Sequence, residues 1–139
     1  MLFFVVSSID DHGKIDVVAG LIKDFDGRIL FGRRKPGTHM AGYWELPGGK
    51  KLSAESAEQA LHRELSEELG ITVLNATFLM ALSYTYPKRN VCLDIWSVDR
   101  YEGHPIGREG QDLAWVLPVE LNKLKILPAD KPLVDTLLK

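Results

Sequence analysis

Apolar residues recur along this chain with two different periods, and turn-forming residues mark where one gives way to the other. Leu2-Phe3-Phe4-Val5-Val6 and residues 17–22 are apolar runs of strand length. Between them Asp11-His12-Gly13-Lys14 reads as a turn. Asp24-Phe25-Asp26-Gly27 predicts a hairpin turn leading into a strand over 28–32. Pro36 and Gly37 break the pattern, which makes 35–42 a loop. A short extended stretch at 44–46 stops at Pro47-Gly48-Gly49. Further strands are predicted near 76–86, 91–101 and 113–116, with a glycine-rich loop over 103–110 ahead of the last.

The period changes after Ser56. Ala57, Leu61, Leu65 and Leu69 recur every four residues, the stripe of a helix with one buried face. Ser56 and Gln59 have capping-box spacing at its start, and Gly70 sits where a left-handed C-terminal cap belongs. A short helix at 118–122 and a terminal one at 132–139, opened by Asp130, complete the pattern. Strands with two main helices predict a mixed-sheet α/β sandwich. No repeat or linker divides the chain, so one domain over residues 1–139 is expected.

Composition narrows the function classes. The chain has 139 residues and a net charge of -2, so no global positive field draws it to nucleic acid or to an anionic membrane. A polyanionic substrate would be met by local positive charge or by metal ions. The apolar opening lacks a basic flank and is shorter than the ~20 residues of a membrane span, so it reads as a strand. Cys92 is the single cysteine, and it reads as a packed thiol. A cytoplasmic location is expected. His12, His39, His62 and His104 lack metal-ligand spacing and read as structural or surface residues.

The chemistry lies between Gly49 and Ile71. Glu64, Glu67 and Glu68 are spaced i, i+3 and i+4, so one helix face presents all three. Like charges at that spacing cost a bare helix a few tenths of a kcal/mol per pair, and a hard divalent cation reverses the sign. A solvated acidic face is the alternative reading. The context decides between them. Five residues after Gly49 comes Glu55, and seven more lead to Arg63-Glu64-Leu65-Ser66-Glu67-Glu68-Leu69-Gly70-Ile71.

That run resembles the Nudix box, G-x5-E-x7-R-E-U-x-E-E-x-G-U with U aliphatic, at every specified position. Agreement by chance at a given start is on the order of 10⁻⁹. The resemblance implies a Nudix α/β/α sandwich with a mixed sheet, in which the box forms a loop–helix–loop. It implies that Glu64 and Glu68 ligate metal, that Glu67 assists, and that the Gly48 carbonyl completes the site. Magnesium is the implied ion, with manganese as a substitute. Glu55 and Arg63 would form an ion pair that fixes the loop, with Gly49 and Gly70 as structural glycines of the box.

Outside the box the chain is similar to the MutT group of Nudix proteins from about Val17 onward. Arg33-Arg34, His39-Met40-Ala41, Leu46-Pro47-Gly48-Gly49-Lys50, Gly107-Arg108-Glu109-Gly110-Gln111, Trp115 and Pro128-Ala129-Asp130-Lys131-Pro132 follow its pattern in order. By this similarity Glu109 is a further metal ligand or the general base, a role that Glu64 shares as a candidate. Arg34, Leu46, Arg89 and Asp130 are the implied substrate-binding residues. Arg33-Arg34-Lys35 also reads as a solvated basic turn.

The implied reaction is attack of water on the β-phosphorus of a nucleoside triphosphate, releasing a monophosphate and pyrophosphate. Three functions stand open: an 8-oxo-dGTP diphosphatase, a broader or cytosine-preferring diphosphatase, and a non-catalytic nucleotide sensor. Asp130 carries the ambiguity. An ionised aspartate accepts hydrogen bonds only, a protonated one also donates, and the residue could instead cap the last helix. The expected partner is a small nucleotide, with no stable nucleic-acid partner and no membrane, and the expected state is a monomer.

Overall fold

The computed structural model describes residues 14–87 and 89–138; the apolar run at 2–6 lies outside the described residues. Strand β1 (Lys14–Leu21) is followed by β2 (Ile29–Arg33), β3 (Trp44–Glu45) and β4 (Gly48–Lys50). Helix α1 (Ala57–Leu69) leads to β5 (Thr72–Tyr86), β6 (Arg89–Glu102) and β7 (Leu113–Val116). Two 3-10 turns, Pro118–Lys123 and Pro128–Asp130, precede α2 (Lys131–Leu137).

Two sheets result. One is mixed, in the order β4-β1-β6-β5, with β1 antiparallel to β4 and parallel to β6. The other is antiparallel, in the order β3-β2-β7. Alternation along β1 sends Ile15, Val17, Ala19 and Leu21 into a core shared with Ile29, Phe31, Leu46 and the α2 residues Leu133 and Val134. Val18 turns the other way, toward Leu61, Leu65 and Leu69 of α1. The helices therefore cover opposite faces, which is the α/β/α arrangement the box implies. Gly20 lets α1 approach closely: a Cβ there would stand 3.0 Å from Leu65 Cδ1 and 3.1 Å from Val98 Cγ2.

Helix α1 forms where the local signals place it. Ser56 Oγ accepts from the Gln59 N–H at 3.1 Å, the Gln59 carboxamide oxygen accepts from the Ser56 N–H at 2.8 Å, and Gly70 closes the helix at φ 73°.

Several boundaries differ from the sequence expectation. Lys14 opens β1 instead of ending a turn. The turn at Asp24 forms, with Asp24 Oδ1 accepting from the Asp26 and Arg28 N–H groups. The strands it joins then part. Both edges of β1 are taken by β4 and β6, so pairing at the neck stops at the Lys23–Ile29 bridge and the Leu30 N–H to Ile22 carbonyl bond, and β2 pairs with β3 and β7. Strand β5 starts at Thr72, ahead of the expected position, because register shifts at Val73/Asn75, Asn75/Ala76 and Phe78/Met80 scramble its alternation. Asp130 precedes α2 but makes no side-chain capping bond.

Ser56→Ala should lower stability by about 1 kcal/mol, read from the urea midpoint. An unmoved midpoint would mean that the cap contributes nothing to the fold.

Candidate active site

Arg63 organises the loop that precedes α1. Its Nε donates to Glu55 Oε2 at 3.0 Å, Nη2 donates to Glu55 Oε1 and to the Lys50 carbonyl, and Nη1 reaches Glu64 Oε1 at 2.8 Å and Glu67 Oε2 at 3.3 Å. Hydrogen bonding to Glu55 is the main reason that the guanidinium pKa rises above its ordinary value. The same bond holds the Glu55 carboxyl below its own. One planar fork thus ties Glu55 and Lys50 to α1 through three hydrogen bonds.

On the neighbouring turn, Glu64 and Glu68 are buried, 8% and 2% exposed, while Glu67 remains exposed. Burial pushes the Glu64 carboxyl above the usual range, against the pull of Arg63. The glycine pair makes room for these acids. A Cβ at Gly49 would stand 2.2 Å from Glu64 Oε2, and the Gly48 N–H donates to Glu68 Oε2 at 3.1 Å. A Cβ at Gly48 would meet the Val18 carbonyl oxygen at 2.0 Å. Gly48 is barred from carrying a side chain by the backbone of β1, whereas a side chain at Gly49 would displace the Glu64 carboxylate.

Glu109 arrives on the loop between β6 and β7, which runs along the end of α1. The Ile106 and Arg108 N–H groups donate to the Leu69 and Glu68 carbonyls, and Arg108 Nη1 donates to the Ser66 carbonyl. Glu109 Oε1 is occluded from solvent and has no hydrogen-bond partner. Four carboxylates, one of them with an unsatisfied oxygen, suit a hard divalent cation in donor chemistry. Among the described residues, no three acidic, histidine or cysteine side chains already converge as a metal site. Arg63 and the Gly48 N–H hold Glu64 and Glu68 individually.

A second polar cluster is buried where the chain passes from β3 to β4. Arg34 is 2% exposed, its Nη1 lies 3.2 Å from Glu45 Oε2, and its Nε donates to the His39 carbonyl. The solvated-turn reading therefore fails for Arg34. Leu46 is fully buried, with its side chain in the core, and its N–H donates to Asp130 Oδ2 at 2.9 Å. Asp130 Oδ1 is buried without a partner. Burial first, then the charge of Glu45, pushes the Asp130 pKa up to about 8, against the Leu46 N–H and Arg34. Tyr86 closes this region, its hydroxyl accepting from the Ala129 N–H at 2.9 Å and its ring lying edge-on to His39. Burial, then Arg89 and Arg34, hold His39 below its ordinary pKa. That shift places Arg89 within electrostatic reach of the cluster.

Glu45, His39 and Tyr86 were missed by sequence reasoning. Glu45 reads as the outward residue of a short strand, His39 lacks ligand spacing, and Tyr86 reads as a strand aromatic. The alternation in Trp44-Glu45-Leu46 was too short to give a signal.

Comparison with known proteins places this arrangement. A family model described as a NUDIX domain matches residues 18–136. The chain belongs to the Nudix hydrolase family. Among curated relatives of this Nudix hydrolase, the 8-oxo-dGTP diphosphatase of Escherichia coli K12 is 40% identical over 124 residues, covering 89% of this chain and 96% of the relative. The CTP pyrophosphohydrolase of the same organism is 38% identical over 121 residues, covering 87% and 89%. A solved MutT structure, from work on Aliivibrio salmonicida and Vibrio cholerae, superposes with a TM-score of 0.78 at 36% identity, covering 90% of this chain and 97% of that one.

The Asp130 environment sets a pH dependence. Its native pKa lies near 8 and its ordinary value is 3.8, so between those limits the folded state holds a proton that the unfolded state lacks. Stability from this group is fully present below about pH 4 and is lost as pH rises through about 8. The decline in unfolding free energy between pH 4 and 8 should flatten in Asp130→Asn, as followed by urea titration. Parallel curves for the two proteins would contradict the burial argument.

Proposed function

We propose that this Nudix hydrolase is a magnesium-dependent nucleoside triphosphate diphosphatase of the MutT type whose preferred substrate is 8-oxo-dGTP. The reaction adds water at the β-phosphorus, breaks the bond from that phosphorus to the α–β bridging oxygen, and releases the monophosphate and pyrophosphate. Glu64, Glu67, Glu68 and Glu109, with the Gly48 carbonyl, would hold the metal, and manganese would substitute. A bound divalent ion supplies charge neutralisation on the phosphate oxygens and orients the reacting groups. The proton lost by the attacking water passes to Glu109, which we favour over Glu64 because Glu109 Oε1 has no partner whereas Glu64 is bonded to Arg63.

The observation that carries the base assignment is the full burial of Asp130, with Oδ1 lacking a hydrogen-bond partner. A carboxyl with a pKa near 8 is protonated at neutral pH. It then offers an O–H donor and an acceptor side by side, the pattern of an asparagine. The oxidised purine edge is the complement: O6 accepts and the N7–H created by oxidation donates. Unoxidised guanine presents two acceptors there and leaves one hydrogen bond unmade, which costs about 1–3 kcal/mol in a buried site. In our reading Arg34, paired with Glu45, would contact the substrate beside Asp130, with Leu46 and Arg89. The 8-oxo-dGTP diphosphatase relative supports the same substrate.

A cytosine-preferring diphosphatase is the second reading, favoured by the CTP pyrophosphohydrolase relative. It requires Asp130 ionised, accepting from the cytosine amine. Turnover of 8-oxo-dGTP, dGTP and 5-methyl-dCTP on purified protein separates the two. The proposal expects 8-oxo-dGTP to exceed dGTP by about 5- to 150-fold in kcat/KM, as one unmade buried hydrogen bond implies. Equal values for those two would end it, and a lead for 5-methyl-dCTP would install the alternative.

The protonation argument makes a separate prediction. The ratio of wild-type to Asp130→Asn kcat/KM on 8-oxo-dGTP should be steady at pH 6–7 and fall about tenfold per pH unit above 8. Titration of the substrate itself cancels in that ratio. A flat ratio to pH 9.5 would remove proton donation by Asp130.

A further inference from the structure

We infer that Lys35 is a positioning residue for Glu109, a latch that fixes the loop carboxylate against the helix carboxylates. The inference rests on the reading of Glu109 as a metal ligand or base. Glu64, Glu67 and Glu68 are placed by a helix, whereas Glu109 lies in a stretch that contains Gly103, Gly107 and Gly110. Such a segment has wide conformational freedom, and a catalytic carboxylate on it needs restraint from outside.

The structure supplies that restraint on both sides of one residue. Lys35 Nζ, at the start of the loop between β2 and β3, donates to the Glu109 carbonyl at 2.7 Å across 74 positions of sequence. On the other side, the Glu109 N–H donates to Gln111 Oε1 at 3.0 Å, and Gln111 Nε2 donates to the Glu68 carbonyl at 3.3 Å. Gln111 is 5% exposed and Lys35 half-buried, so water competes little for these bonds. Glu68 and Glu109 are thereby joined through one side chain, and Lys35 holds the far end of the link. Gly107 is required for the same packing, since a Cβ there would stand 2.1 Å from the Gln111 carbonyl oxygen.

Lys35 is itself fixed. Its carbonyl accepts from Thr38 Oγ1 at 2.6 Å, and its neighbour Arg34 is anchored on Glu45. A cavity of about 260 Å³ lined by Arg33, Arg34, Lys35, Gly110, Gln111 and Asp112 lies beside the latch. The lysine touches the peptide of Glu109 and not its carboxylate, so it places the group without neutralising it.

The test uses Lys35→Met, Lys35→Arg and Glu109→Gln in the full chain. Three readouts are taken: steady-state kinetics on 8-oxo-dGTP at saturating magnesium, titration of the metal-free protein with Mn2+ alone, and amide hydrogen exchange over residues 103–111 without metal. Lys35→Met should lower kcat by about 10- to 100-fold, the range for displaced catalytic groups, with KM little changed. It should weaken Mn2+ binding by several-fold and speed exchange of the Glu109 and Gln111 amides at an unchanged melting temperature. Lys35→Arg, which keeps a donor on a long stem, should recover most of the kcat. Wild-type kinetics and exchange in Lys35→Met, with Glu109→Gln impaired, would overturn the latch and leave the reading of Glu109 standing. Equal losses in Lys35→Met and Lys35→Arg would also overturn it. Glu109→Gln with wild-type activity and Mn2+ affinity would overturn the reading of Glu109 and the latch with it.

Discussion

Two carboxylates on one turn of α1, Glu64 and Glu68, are buried against a pair of glycines, and much of this architecture follows from making that burial tolerable. An isolated ionised carboxyl in a protein interior loses several kcal/mol of hydration. Here Glu64 faces the Arg63 guanidinium and Glu68 faces the Gly48 N–H. These contacts offset the loss without cancelling it, since the Glu64 carboxyl still lies above its ordinary range. Ionising Glu64 in this setting therefore remains costly. A divalent cation held there, as we propose, would favour the ionised form.

The fold arranges the neighbours of this helix with the same economy. β4 is held by β1 and meets α1, which leaves no space for a side chain at Gly48 and sets the Glu64 carboxylate against Gly49. Residues 46 and 47 carry the chain from the antiparallel sheet to the mixed one, and Asp130 is bonded to the Leu46 N–H at that crossing. The proposed phosphate site and the proposed base site are consequently two residues apart along one extended segment.

Legibility in the sequence tracks distance along the chain. The caps, stripe and carboxylate spacing of α1 lie within 25 residues, and every signal there is local. Arg34, Glu45 and Asp130 come from three separate segments and reveal themselves as a cluster only after the sheets form. Periodicity hides Glu45, because a two-residue strand has no period to read. The same limit explains β5, whose bulges break the alternation, and the β1–β2 neck, whose divergence depends on which edges β4 and β6 occupy. Asp130 shows the limit most plainly: its position next to α2 suggests a cap, whereas tertiary contact turns its side chain to Leu46.

The central claim is that the carboxylates of α1, with the buried Glu64 held above its ordinary range, would bind a divalent ion. The most direct measurement is the melting temperature of the wild-type chain and of Glu64→Gln, each with chelator and with magnesium or manganese. An ion that binds only the folded state at a hundredfold excess over its Kd stabilises by about 2.7 kcal/mol, or roughly 5–10 °C for a chain of this size. The account predicts that rise in the wild type and its loss in the variant. Identical melting temperatures with and without metal in the wild type would contradict it.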